Sequence, residues 1–203
     1  MKIVIVDYNM GNIKSITSAL NYLQIEDVVV SSDYNVMKSA NKLILPGVGS
    51  FAKAIDEIKK KKIDISLKKL ILDDEVPILG ICLGMQLLCD FSTEDGDSKG
   101  LSYVKGEVTR FENSALKVPH IGFNQVKKHK SSILFDKISD NSDFYFVHSY
   151  KMLSNAKINQ SICSYGIDFI ASFEYKNIYG VQFHPELSQK NGLKLLKNFI
   201  LKT

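Results

Sequence analysis

Two short stretches carry residue types that can perform nucleophilic chemistry. The first is Gly80-Ile81-Cys82-Leu83-Gly84, which follows the apolar run Val76 to Ile81 and precedes Leu83 to Phe91, a stretch with helical periodicity. A cysteine on a tight strand-to-helix turn needs very small neighbours, and the next backbone N–H, that of Leu83, points where an oxyanion would form. A helix N-terminus behind the sulfur also stabilises negative charge on it. A free cysteine can equally be a small buried apolar residue. The glycines on either side favour the nucleophile for Cys82, whereas Cys89 and Cys163 lack that context and read as structural.

The second stretch is His184-Pro185-Glu186, after the strand-like run Ile178 to Phe183. A thiol nucleophile needs a base, and the base an orienting acceptor. Extended i, i+2 spacing puts the imidazole and carboxylate on one side, and Pro185 restricts the backbone between them. A further oxyanion donor is available from Pro46-Gly47-Val48-Gly49, a turn whose glycines permit unusual angles and close approach to a ligand. Gln86, four residues after Cys82, lies one helical turn away on the same face and suits a polar contact to substrate.

These residues need a scaffold that gathers strand ends. Strand-like runs at Lys2 to Val6, Val28 to Ser31, Lys42 to Leu45 and Val76 to Ile81 alternate with helical patterns at Ile13 to Leu23, Phe51 to Ile58, Ile65 to Leu72 and Leu83 to Phe91. Short connections between such elements imply right-handed crossovers and an open α/β sheet, mostly parallel and flanked by helices, with ligands at the carboxyl edge. From about Lys99 the chain turns β-rich. Tyr103 to Phe111, Lys117 to Val126, Phe144 to Tyr150, Ser161 to Tyr165, Phe169 to Tyr175 and Ile178 to Phe183 read as strands, and Gln189 to Leu201 as a closing amphipathic helix. No Pro/Gly/Ser-rich linker separates the halves, so residues 1–203 read as one domain.

Composition narrows the function classes. The 203 residues are 45% hydrophobic and 24% charged, which excludes disorder and fits one buried core. No apolar run approaches the roughly 20 residues of a spanning helix, and the start lacks a signal-peptide pattern, so a cytoplasmic location is expected. The net charge is +4, yet Arg110 is the only arginine among 26 basic residues, which argues against base readout. The Lys59 to Lys62 run reads as a solvated helix end. Three cysteines are too few for a disulfide framework and form no metal spacing; no metal and no cofactor is called for.

The order PGVG, GICLGMQ, YFVHSY and HPE resembles the class I (triad) glutamine amidotransferases over essentially the whole chain. Val6-Asp7-Tyr8-Asn9-Met10-Gly11-Asn12 and Val118-Pro119-His120-Ile121-Gly122-Phe123-Asn124-Gln125 make it most similar to the HisH group, the glutaminase subunits of imidazole glycerol phosphate synthase. The resemblance implies a flavodoxin-like fold, glutamine hydrolysis through a cysteinyl thioester, and a triad of Cys82, His184 and Glu186. It further implies an oxyanion hole at Gly47, Val48 and Leu83, and a glutamine pocket of Gly49, Gln86, Glu94, His148, Ser149 and Tyr150. For His148, a structural role stands beside one in chemistry.

The implied partner is a HisF-like (β/α)8 synthase subunit in a heterodimer, met by Asn12, Phe123 and Asn124, with no nucleic acid or membrane involved. Two positions depart from the pattern: Asn9 replaces a usual glycine, and Phe123 replaces a usual tryptophan on the partner-facing side. A paralogue feeding ammonia to a surface-sugar amidotransferase, and a non-catalytic adaptor on the same scaffold, are the competing readings. Glycine at 47 is expected to let the Gly47-Val48 peptide flip.

Overall fold

In a computed structural model the described residues are 1–112 and 117–203. The first half winds β1 (Ile3–Val6), α1 (Ile13–Tyr22), β2 (Val28–Ser31), α2 (Tyr34–Lys38), β3 (Lys42–Leu45), α3 (Phe51–Lys60), α4 (Ile63–Lys68), β4 (Ile78–Ile81) and α5 (Leu83–Leu87). The second half runs through β5 (Phe91–Ser92), β6 (Ser98–Lys99), β7 (Glu107–Arg110), β8 (His120–Lys127), β9 (Ser142–His148), β10 (Tyr150–Leu153), β11 (Asn159–Tyr165), β12 (Ile167–Tyr175) and β13 (Ile178–Val181), and ends in α6 (Gln189–Lys202).

Nine strands form one mixed sheet in the order β2-β1-β3-β4-β13-β12-β11-β8-β9, and β10-β7-β5-β6 form a small second sheet. The α/β class expected from the alternating pattern is the one observed. The pairings from β2 to β13 are parallel, and those from β13 to β9 are antiparallel. Strands β1, β3 and β4 are buried throughout, as parallel strands covered on both faces must be. Their side chains alternate between two cores. Val4, Val6, Leu43 and Leu45 pack with Phe51, Ile55 and Ile58 of α3, while Ile3, Ile5 and Ile44 pack with Ile16 and Leu20 of α1 and Leu196 and Phe199 of α6.

The helix expected over Leu83 to Phe91 stops at Leu87. Its last carbonyls are taken from outside: Leu101 N–H donates to Leu87 C=O, and the N–H groups of Tyr103 and Val104 donate to Leu88 C=O. The following segment thus ends the helix, and Phe91–Ser92 becomes a strand instead. The stretch Ile65 to Leu72 is α4 followed by a π-helical turn, Lys69–Asp73. Helix α2 is invisible to periodicity because it spans five residues; its local signal is Asp33, whose carboxylate accepts from Val36 N–H.

Candidate active site

Strands β3, β4 and β13 are neighbours, with Leu45 opposite Gly80 and Val181 opposite Ile81. Their carboxyl ends therefore deliver Pro46-Gly47-Val48-Gly49, Cys82 and His184 to one place. Cys82 adopts φ 54°, ψ −111°, a conformation costly for any residue with a Cβ and one that marks functional turns. Its N–H is bound by Val181 C=O at 2.8 Å. The flanking glycines follow from contact. A Cβ on Gly84 would lie 1.9 Å from Leu45 O, and one on Gly80 2.7 Å from Gly84 C and O. Leu83 opens α5, so its amide has no carbonyl partner within the helix.

The turn after β3 is braced from the β1–α1 connection. Tyr8 is fully buried and donates its hydroxyl hydrogen to Pro46 C=O at 2.5 Å. Gly49 is the turn's left-handed residue, φ +102°. Gly47 is crowded on all sides. Its φ is not positive, and a Cβ there would meet Gly84 N and Tyr8 Oη at 2.7 Å and Leu83 Cβ at 2.8 Å. In this conformation glycine at 47 is required by crowding between the turn and the Cys82 elbow.

His184 N–H is held by Tyr145 C=O at 2.9 Å, and its carbonyl accepts from Ser188 Oγ. The side chain is buried, with Nδ1 2.9 Å from Glu186 Oε1. A carboxylate accepts, so Nδ1 carries hydrogen and Nε2 is left as the reactive nitrogen. Nε2 is buried without a hydrogen-bond partner among the described residues, and His184 lines the same cavity as Cys82. Burial alone disfavours the imidazolium, but the sulfur of Cys82 and the carboxylate of Glu186 outweigh it and push His184 up to about 10.

The cavity holds about 290 Å³, room for a small amino acid. Val48, Gly49, Leu83, Gln86, Glu94, His148, Ser149 and Tyr150 line it together with Cys82 and His184, and so do Pro119 and Val147. Gly47 stands behind this lining. Glu94 is half-buried; burial raises its carboxyl pKa, against the Phe51 N–H that bonds Oε2 at 3.0 Å. Gln86 is no surface residue: its Nε2 donates to Tyr150 C=O at 3.0 Å and to Gln182 Oε1 at 2.9 Å.

His148 is occupied on both nitrogens. Nδ1 lies 2.8 Å from Tyr150 C=O and Nε2 3.0 Å from His120 Nδ1. The carbonyl can only accept, so Nδ1 donates, Nε2 accepts, and His120 Nδ1 must donate. Burial holds His148 down to about 3 and His120 down to about 4, which keeps this relay neutral. His148 thus supports the Tyr150 backbone, the structural alternative. Sequence reasoning missed His120, Tyr8 and Gln182. Tyr8 and His120 sit inside recognisable motifs, but their roles depend on Pro46 and His148, far along the chain.

One end of the outer face of β8 and β9 is an open apolar strip. Phe123 (49% exposed) packs edge-on to Tyr145, and Ile121 (57% exposed) lies opposite Val147. Val147 also lines the cavity, so the strip reaches the site's mouth. Asn124 points the other way, its Nδ2 donating to Ser164 C=O. Asn12 is half-buried at the N-cap of α1. Cys89 and Cys163 are buried, and burial raises both thiols, Cys163 to about 12. Among the described residues no helix is long and apolar enough to cross a membrane.

Residues 4–203 match the model of the family described as glutamine amidotransferase class-I. The chain is 43% identical over 201 residues to imidazole glycerol phosphate synthase subunit HisH 2 of Vibrio vulnificus, covering 98% of this chain and 94% of that one. It is 45% identical over 201 residues to subunit HisH 1 of Methanococcus maripaludis, covering 98% of both. Among solved structures it resembles a glutamine amidotransferase from Thermotoga maritima, with TM-score 0.64, 18% identity and coverage of 98% of this chain and 82% of that one. That last likeness is one of fold.

Proposed function

The chain belongs to the class-I glutamine amidotransferases, and from that premise we propose that residues 1–203 act as one domain, the glutaminase subunit of an imidazole glycerol phosphate synthase in histidine biosynthesis. The observation that carries this reading is the convergence of Cys82, Leu83, the Pro46 turn and the His184–Glu186 pair on one cavity sized for glutamine. The Cys82 thiolate attacks the side-chain amide carbon. The oxyanion is held by backbone N–H groups of Leu83 and Val48, with Gly47 setting the turn's approach. His184 as imidazolium protonates the departing ammonia, leaving a glutamyl thioester. Nε2 then takes a proton from water, which attacks the thioester and releases glutamate and the thiol. Glu186 holds the tautomer throughout.

Ammonia passes to a HisF-like (β/α)8 subunit, which docks on the strip around Phe123 and Ile121 and also meets Asn12. Asn124, facing inward, braces that strip against β11. Free ammonia would be largely protonated near neutral pH, so delivery through a channel preserves the nucleophile. We place the reaction in the cytoplasm. The test is a reconstitution with the cyclase subunit and its ribonucleotide substrate: glutamine should support product formation, and Cys82→Ala should abolish this while ammonium still does. Product formation only with a sugar-modifying partner would reassign the acceptor, and retained glutamine use by Cys82→Ala would overturn the mechanism.

A further inference from the structure

We propose that Gln182 is a positioning residue for the nucleophile: its carboxamide, oriented by Gln86, turns an N–H onto the sulfur of Cys82 and holds the thiolate toward the pocket. The inference rests on Cys82 being the nucleophile. Gln182 directly follows β13, is fully buried, and its backbone N–H is fixed by Ala171 C=O at 2.8 Å. Its Nε2 lies 3.7 Å from Cys82 Sγ, a normal spacing for N–H to sulfur.

The orientation of that amide is decided by its neighbours. Tyr150 C=O can only accept, so the end of Gln86 facing it is the NH2 group. The same NH2 reaches Gln182, whose facing atom must then be the carbonyl oxygen, at 2.9 Å. The other end of Gln182, the NH2, is left toward sulfur. Flipping it would bring oxygen against the thiolate and NH2 against NH2. A donor aimed at a sulfur anion gives a charge-assisted bond. Val147 C=O, 3.9 Å from Sγ, is available to the S–H form instead, so the two contacts serve two protonation states.

Other titratable groups surround the sulfur and are common to any comparison at position 182. They are His184 with Glu186 after β13, Tyr8 after β1, His148 at the end of β9, and Glu94 across the cavity.

The experiment follows the pH dependence of Cys82 alkylation by iodoacetamide, with Cys82→Ala as the blank for Cys89 and Cys163. Gln182→Met removes the donor at similar volume; Gln182→Glu keeps the acceptor for Gln86 but places oxygen on the sulfur. The midpoint should rise by about one pH unit in Gln182→Met, a roughly tenfold slower reaction below it, and further in Gln182→Glu. Glutamine turnover should fall through kcat, with KM nearly unchanged. In the unaltered protein, the Gln182 side-chain amide proton should shift in NMR through the same midpoint as alkylation, a readout that does not depend on a variant folding. Profiles that superimpose on the parent, or an amide signal indifferent to sulfur ionisation, overturn the proposal. Failure of the nucleophile reading looks different: Cys82 of the parent would not be alkylated at all.

Discussion

The two halves of the main sheet place their site residues by different means. On the parallel side, β3 and β4 hold their site groups through the main chain, in crowded glycine contacts around a strained Cys82. On the antiparallel side, β8 and β9 offer side chains: a neutral histidine relay supports Tyr150, and an open apolar strip faces outward. Between them, β13 starts as a parallel partner of β4 and pairs antiparallel with β12. The residues just after it include Gln182 and His184, where the two modes meet. Reactive geometry comes from backbone that cannot relax, and recognition from side chains that can be exchanged.

The contrast is tested most severely at the triad. His184→Ala should reduce glutamine turnover by roughly 10³-fold or more, while Glu186→Gln should leave measurable activity because the base survives with weaker orientation. The double variant should be little worse than His184→Ala alone; additive losses in a steady-state assay would break the assignment.

Glycine substitutions separate the halves next. Gly84→Ala forces a Cβ to 1.9 Å from Leu45 O and should prevent folding or cost several kcal/mol. Gly122→Ala meets nothing within 4 Å and carries only its φ of +131°, so about 1 kcal/mol is expected. Urea midpoints of the two would decide, and equal losses would show that the parallel edge is not specially crowded.

Titration should also act oppositely on the two sides. His184 is raised from 6.5 to about 10, so its stabilisation is full below about pH 6.5 and is lost as pH climbs toward 10. His148 is lowered from 6.5 to about 3. The unfolded chain binds that proton first, so stability drains as pH falls below 6.5, by about 3 kcal/mol at pH 4. Thermal melts from pH 8 to pH 4 should therefore steepen through His148, and His148→Gln should flatten the acid limb while lowering stability at pH 8.

The smallest effect belongs to the surface. Phe123→Ala should weaken binding of the proposed cyclase partner about tenfold, by loss of an exposed aromatic contact, with an unchanged melting temperature. Titration calorimetry against the partner measures it; unaltered affinity would move the docking face elsewhere.

Much of the parallel half was legible because its signals are local. Buried β-branched runs, helical stripes and the spacing Gly80-Ile81-Cys82-Leu83-Gly84 arise from neighbours in the chain, and they indicated the α/β class, the elbow and the strand-end clustering. His184 and Glu186 were readable for the same reason, being two residues apart. Helix α5's early end, the crowding at Gly47, Tyr8 bracing Pro46, the tautomers of His120 and His148, and the aim of the Gln182 amide were decided by tertiary structure alone. Most are contacts between residues about 30 to 100 positions apart; the exceptions are the end of α5, where residues 101–104 fold back on it, and the Tyr150 carbonyl that sets the His148 tautomer from two residues away. A polar side chain's sequence neighbourhood lists what it could donate or accept; only the folded chain brings up the partner that chooses.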